Sequence, residues 1–203
     1  MKKIAGLVLF LGVGAIFAYT LLGGESEEDY QERIAEERQR TERFMKASPE
    51  SPFAPDSVEF TSLTYYPPNL TYRVRARLEP IKDKKLLVLP TTTGEEEKYI
   101  RYGYATFQLG GQPQRLLVLE PFEQPAPLFV AFADDTSGDT TYGGGRYLNV
   151  EKPGRTGQKT IELDFNQAYN PYCAYNGTFS CPLPPPENLL TVAVEAGEKY
   201  KSH

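Results

Sequence analysis

The sequence predicts a mainly β protein, a single antiparallel barrel or sandwich-like domain preceded by an N-terminal transmembrane helix and a charged helix. Short apolar segments recur about every ten residues without helical patterns between them, as in antiparallel sandwiches and barrels. Thr71–Glu79 alternates strictly between apolar and charged residues, and Gly110-Gly111 separates two strand-like segments as a hairpin turn does. The predicted divisions are 1–24, 25–48 and 49–203.

Composition narrows the classes of function. The chain has 203 residues, of which 40% are hydrophobic, so a core of ordinary size can form. Its net charge is −5 and it has no basic stripe, which argues against nucleic-acid binding. The single histidine, His203, is the last residue, and there are only two cysteines. We therefore expect no histidine-based catalysis, no metal site and no cofactor.

The first 24 residues predict a membrane anchor. Lys2 and Lys3 precede an uncharged apolar run, Ile4–Leu22, and acidic residues follow it. Such a run can just cross a hydrocarbon core of about 30 Å. The positive-inside bias places the N-terminus in the cytoplasm and the domain outside it, in a periplasmic or extracellular location. A cleaved signal peptide is the alternative, and it leads to the same compartment.

The segment from Glu25 to Lys46 predicts a solvated helix. It contains no glycine or proline and is rich in good helix formers. Tyr30 and Ile34 begin a narrow stripe that continues through Arg38 and Thr41 to Met45, and we expect this stripe to dock on the domain. A coiled-coil dimerisation stalk is the alternative, although the heptad pattern is short and poor.

The domain itself reads as a series of strands. In Thr71–Glu79 the apolar residues face the core and the three arginines face water. Leu128–Ala133 is apolar on both faces and predicts a central strand. Further strands are predicted over 86–89, 99–109, 115–120, 147–150, 160–165 and 190–195, the last as a closing strand.

A glycine run beside an arginine suggests a ligand site. In Tyr142-Gly143-Gly144-Gly145-Arg146 the missing Cβ atoms would let backbone N–H groups converge on an anion, and Arg146 would add a planar fork for a carboxylate or phosphate. A sharp turn before a strand, with Arg146 paired to an internal carboxylate, is the alternative. Asp164 lies at a strand end among asparagines and could be that partner. The predicted ligand-binding residues are Tyr142, Gly143, Gly144, Gly145, Arg146, Asp164, Asn166 and Asn170.

Two nearby features have alternative interpretations. Asp134–Asp139 resembles a calcium loop but lacks its sixth-position glycine and its terminal glutamate, so a turn capped by its own side chains is favoured. Cys173 and Cys181 flank a short loop, and outside the cytoplasm we expect a disulfide worth about 2–3 kcal/mol. A reactive thiol pair is the alternative.

Several long motifs occur together in the second half of the chain. The run F-x-D-x-T-S-G-x-x-T-Y-G-x-G-R-Y-L from Phe132 is followed by LDFNQAYNPYCAY, CPLPPPENLL and AGEK. Together they resemble the domain of unknown function family 1684. The resemblance implies a mainly bacterial family with a β-rich fold and supplies no catalytic residues. This chain carries Tyr172 where a second proline is expected.

These observations lead to three hypotheses of function. The first is a non-catalytic domain that binds a small, anionic ligand or an envelope partner while anchored to the membrane. The second is a carboxylate-dependent hydrolase of the cell envelope that uses Asp134, Asp164 or Glu187, since paired carboxylates can act without histidine. The third is a purely structural envelope protein. Catalytic residues stay unknown, and enzyme activity is not favoured.

Overall fold

The structure is a computed structural model that describes residues 25–54, 59–122, 126–154 and 157–200. The predicted anchor, residues 1–24, lies outside this part of the chain. No helix in these ranges is long and apolar enough to cross a membrane. Within them the protein has one α-helix and seven strands, so the mainly β prediction is confirmed.

The helix, α1, spans Glu27–Ala47 and docks on the sheet by a narrow stripe. Ser26 caps its first turn by accepting a hydrogen bond from the Asp29 N–H at 3.1 Å. Tyr30, Ile34 and Met45 are buried, whereas most of the remaining residues are polar or charged. The predicted docking stripe is confirmed, and it packs against the same chain.

The strands form one antiparallel sheet that curls into a half-barrel. Its order is β6-β5-β4-β3-β1-β7, and β2 pairs with β3 beyond the end of β1. The edge strands β6 and β7 also lie against each other. The bounds are β1 Arg73–Pro80, β2 Leu86–Pro90, β3 Glu96–Leu109, β4 Gln112–Pro121, β5 Leu128–Phe132, β6 Arg146–Val150 and β7 Thr160–Asp164.

The alternation of apolar and polar residues predicted correctly, at most positions, which side chains face the core. Ala76 and Leu78 of β1 are buried and Arg75 and Arg77 are exposed, as predicted. Every residue of β5 is buried, as expected for a central strand. The β3–β4 hairpin turns at Gly110 and Gly111, whose φ angles of 59° and 74° belong to the left-handed region that glycine tolerates.

Residues 190–195 do not form the predicted closing strand. The segment belongs to no strand of the sheet. Leu190, Val192, Val194 and Ala196 join the core. Alternation predicted the buried side chains correctly. The backbone of Leu190 and Val192 bonds to Ala133 and Asp135 just after β5, whereas Val194 bonds to the side chains of Asp134 and Arg146.

Asn188 links strands β4 and β5, which have little backbone pairing. Strand β4 pairs with β5 at a single position, Leu119 with Phe129. The fully buried Asn188 amide accepts from the Leu117 N–H at 2.6 Å and donates to the carbonyls of Leu117 and Ala131 at 2.9 and 2.8 Å. This side chain therefore supplies hydrogen bonds that a full ladder would otherwise provide.

Candidate functional site

Arg146 is fully buried and holds the C-terminal segment against the sheet. Its Nη2 donates to Asp134 Oδ2 at 2.9 Å and to the Val194 carbonyl at 2.8 Å. Its Nη1 donates to the carbonyls of Ala196 and Glu198. Gly197, with a φ of 74°, turns the chain between the last two of these carbonyls, so one guanidinium reaches all three. Nε is left without an acceptor among the described residues.

The partner of Arg146 is Asp134, and the predicted pairing with Asp164 does not occur. Asp134 is also bonded by the N–H groups of Thr136 and Val194, at 2.9 and 3.1 Å. Ser137 Oγ in turn accepts from the Asp134 N–H at 3.1 Å. The acidic run is therefore a side-chain-capped turn, and no cluster of metal-ligating residues lies in the described ranges.

The glycine run forms a turn before β6. The Gly145 N–H donates to the Tyr142 carbonyl at 3.0 Å, and Gly145 has a φ of 85°. A Cβ on Gly145 would lie 2.5 Å from the Phe132 carbonyl oxygen, so this glycine permits close packing of the chain. The geometry is that of the turn interpretation, with Gly143 on the surface and Gly145 buried.

The remaining predicted residues lie at the helix-covered end of the sheet. Asp164 is buried because Tyr30 of α1 covers it, and the Tyr30 hydroxyl donates to Asp164 Oδ1 at 2.8 Å. The Asn166 amide donates to the Asn69 carbonyl at 2.9 Å. The Asn170 side chain donates to the Lys199 carbonyl at 3.1 Å, while its Oδ1 is buried without a partner in the described ranges.

A cavity of about 560 Å³, here called the helix cavity, separates the middle of α1 from this end of the sheet. Asn166 is the only one of the eight predicted ligand-binding residues that lines it. Its α1 wall is built by Ile34, Glu37, Arg38, Arg40, Thr41, Phe44 and Met45. Its opposite wall is built by Tyr65, Asn149, Asn166, Gln167, Ala168, Tyr169, Tyr172 and Glu198.

Arg38 is the distinctive residue of the helix cavity. Its Nε and Nη2 atoms are buried, and neither has a hydrogen-bond partner in the described parts of the chain. The guanidinium lies 4.4 Å from the Tyr65 ring centroid, which covers one of its faces. Burial lowers the pKa of Arg38, although an arginine so placed keeps its charge.

Glu198 forms the floor of the helix cavity. It is 1% exposed, and its carboxylate accepts from the Asn170 N–H at 3.0 Å and from the Tyr175 hydroxyl. Burial raises the pKa of Glu198 to about 8, against the smaller opposing effects of Asn170, Arg146 and Arg38. The cavity therefore holds one unpartnered cation and one carboxyl group that burial favours in its neutral form.

The two cysteines are free thiols in the structure, in contrast to the predicted disulfide. A 3₁₀ turn, Tyr172–Ala174, brings the Cys173 N–H to 3.1 Å from Cys181 Sγ. The Cys181 thiol lowers the pKa of Cys173 to about 6, while donation of its own proton raises the pKa of Cys181. The reactive thiol pair, the alternative interpretation, stays a prediction.

The three carboxylates of the hydrolase hypothesis belong to three separate networks. Asp134 pairs with Arg146, and Asp164 accepts from Tyr30. Glu187 lies at the surface, 2.9 Å from Arg101, and accepts from the Tyr104 hydroxyl. No hydrogen bond joins any two of them, and none lines the helix cavity.

Arg38, Tyr65 and Glu198 were not among the site residues predicted from the sequence. The sequence feature that could have indicated this site is Arg38, a charged residue within the docking stripe of a helix that otherwise faces water. Because this stripe faces the sheet, Arg38 must lie beside the sheet. The other arginines in the second half of the helix, Arg40 and Arg43, are exposed.

Comparison with known proteins gives a family and a fold. A family model described as "Protein of unknown function (DUF1684)" matches residues 58–199. The chain is similar to an uncharacterized protein from Haloarcula marismortui solved by solution NMR, at 36% identity and a TM-score of 0.66. The match covers 85% of this chain and 95% of that one. No curated protein matches. The resemblance predicted from the motifs is confirmed, and the chain belongs to the DUF1684 family.

Proposed function

We propose that the protein binds a small organic anion in the helix cavity, with Arg38 as the anchoring cation. The observation that carries this proposal is the pair of buried donors, Nε and Nη2, that have no acceptor among the described residues. A buried donor without a partner costs about 1–3 kcal/mol, and more when the group is charged. An anion in the cavity would satisfy both donors and the charge.

The size and the lining of the helix cavity support this proposal. Small-molecule sites are typically clefts of about 300–1,000 Å³ with mainly apolar walls and a few fixed polar groups. The cavity has a volume of about 560 Å³ and combines apolar and aromatic residues with the amides of Asn166 and Gln167. Neighbouring hydrogen bonds hold Asn166 in place, including one from the Asn69 N–H at 2.8 Å.

Arg146 is the weaker candidate for an anchor. Four acceptors already surround its two terminal nitrogens, and the residue has no exposed surface. A ligand would have to displace Asp134 or the C-terminal segment to reach it. Ligand contacts by Tyr142–Arg146, Asp164 and Asn170 stay predictions. Asn166 is the predicted ligand-binding residue that also lines the helix cavity.

We also propose that residues 1–24 hold this domain at the outer face of the cytoplasmic membrane. The apolar run Ile4–Leu22, preceded by two lysines, supports this location. Glu27, the first residue of α1, follows this run after Gly23-Gly24-Glu25-Ser26. The helix cavity would then lie close to the membrane, within reach of anions in the envelope.

Anion capture by the full-length chain in nanodiscs tests the proposed function. Isothermal titration with acetate, benzoate, phosphate and sulfate should give saturable binding of at least one anion. Arg38→Gln should weaken that binding about tenfold or more, because the charge-assisted bonds are lost.

Arg43→Gln is the matched control for this experiment. Arg43 is an exposed arginine of the same helix and does not line the helix cavity. Its substitution should leave affinity unchanged. Equal binding by the wild-type protein and Arg38→Gln, or no binding of any of the four anions, would refute the proposal.

A further inference from the structure

We infer that the ligand is a monocarboxylate with an aromatic or aliphatic body, gripped by the Nε–Nη2 edge of Arg38. This inference rests on the proposed function and specifies its ligand class. Three observations carry it: the edge that Arg38 leaves free, the balance of charge around the helix cavity, and the apolar surface beside the guanidinium.

The same helix shows what such an edge binds. Arg33, five residues earlier in α1, holds the Glu25 carboxylate with the same two nitrogens, Nε to Oε1 at 2.8 Å and Nη2 to Oε2 at 3.1 Å. Two parallel N–H bonds match the two oxygens of a carboxylate. Arg38 has this edge buried and without a partner among the described residues, and the Tyr65 ring covers a face of the guanidinium. A ligand must therefore approach in the guanidinium plane.

The charge around the helix cavity suits one negative charge and not two. Its lining contains two cations, and Arg40 already has Glu36 beside it. The Glu37 carboxylate, on the same wall, accepts from Arg33 at 3.2 Å. Glu198 on the floor would also be driven toward its neutral form by a nearby anion. A dianionic phosphate would thus meet two carboxyl groups and, among the described residues, one cation without a hydrogen-bonded partner.

The walls beside Arg38 suit an apolar body. Ile34, Phe44 and Met45 project from α1, and Ala168 and Tyr169 face them from the sheet. Tyr172 adds another ring to this wall. Burying a flat hydrocarbon body here would remove apolar surface from water, and each Å² buried contributes about 25 cal/mol to binding. A charged head group without such a body would lack this contribution.

Three ligands that share a naphthyl group, together with acetate, which lacks it, test the inference. The full-length chain in nanodiscs would be titrated with 2-naphthoate, 2-naphthamide, 2-naphthyl phosphate and acetate. We expect 2-naphthoate to bind at least about tenfold more tightly than each of the other three. Arg38→Lys keeps the charge but removes the planar edge, and it should also lose about tenfold in 2-naphthoate affinity. Arg43→Gln, at an exposed position of the same helix that does not line the helix cavity, should bind 2-naphthoate as the wild type does.

The outcomes separate this inference from the proposed function. If 2-naphthyl phosphate binds as tightly as 2-naphthoate and Arg38→Gln abolishes both, the anion site stands and the monocarboxylate inference falls. If acetate matches 2-naphthoate, the apolar body is refuted. If 2-naphthoate binds equally well to the wild type and to Arg38→Gln, both the inference and the site fall.

Discussion

At the scale of the residue, two arginines show how differently the same side chain can be used. Arg146 has an ion pair and three backbone carbonyls at its terminal nitrogens, whereas Arg38 has two buried donors without partners among the described residues. Both terminal nitrogens of Arg146 are bonded within the chain and serve the fold. In Arg38 the Nε–Nη2 edge as a whole is left over, which is why the proposed ligand contacts Arg38.

Glu198 should make the stability of the protein depend on pH. Burial raises its pKa to about 8 in the folded state, from an ordinary value of about 4.5. The folded state therefore holds a proton that the unfolded state releases between these values. The free energy of unfolding should be highest near pH 5 and should fall by a few kcal/mol as the pH rises to about 9, at about 1.4 kcal/mol for each unit of pKa difference.

Urea unfolding at pH 5, 6, 7, 8 and 9 measures this effect. Glu198→Gln keeps the shape of the side chain and cannot ionise, so it should lose most of this decline and be the more stable variant at pH 9. Parallel stability curves for the two proteins would contradict the prediction.

At the scale of the element, pairing between β4 and β5 depends on a side chain from elsewhere in the chain. Asn188 makes three hydrogen bonds to the backbones of these strands. It is presented by a 3₁₀ turn, Pro186–Asn188, that follows the proline run. The prolines therefore position the Asn188 side-chain amide against strands β4 and β5.

Asn188→Ala should destabilise the protein by about 2–5 kcal/mol. The substitution leaves the Leu117 N–H and two carbonyls buried without partners, and each unpaired group costs about 1–3 kcal/mol. Chemical denaturation measures the loss. Leu189→Ala is the control, because Leu189 is the next residue and is 58% exposed; it should change stability by less than about 0.5 kcal/mol. Equal effects of the two variants would argue against the role of Asn188.

At the scale of the whole molecule, the fold is closed by a polar link across its core. The pair formed by Asp134 and Arg146 joins the turn after β5, the start of β6 and the C-terminal segment. The segment in turn contributes four side chains to the core of the sheet. Helix α1 covers the end of the sheet at Asp164 and leaves the helix cavity beneath it.

Arg146→Met should lower the free energy of unfolding by about 3–5 kcal/mol. Removing one partner of a buried ion pair leaves Asp134 as an uncompensated charge and the three carbonyls without their donor. Arg77→Met is the control, because Arg77 is 73% exposed and faces Glu79 at the surface. Thermal and urea unfolding of the two variants compare them, and a loss below 1 kcal/mol for Arg146→Met would contradict the structural role.

Much of the fold could be predicted from local patterns. Alternation in β1 and β7, the apolar run of β5 and the glycine pair of the β3–β4 hairpin predicted those elements close to their observed bounds. The stripe from Tyr30 to Met45 predicted how α1 docks. Such patterns succeed because side-chain direction follows a fixed period within each element.

The candidate site could not be predicted in the same way. The sequence alone determined the β class and the docking helix. Only the tertiary structure decided that the glycine run is a turn, that Arg146 meets Asp134, and that residues 190–195 join no strand. It also decided that Arg38 lies beside Glu198 with two donors unpaired among the described residues. The physical reason is that ion pairs and cavities join residues far apart in the chain. Their partners follow from how elements pack, and no local period records that packing.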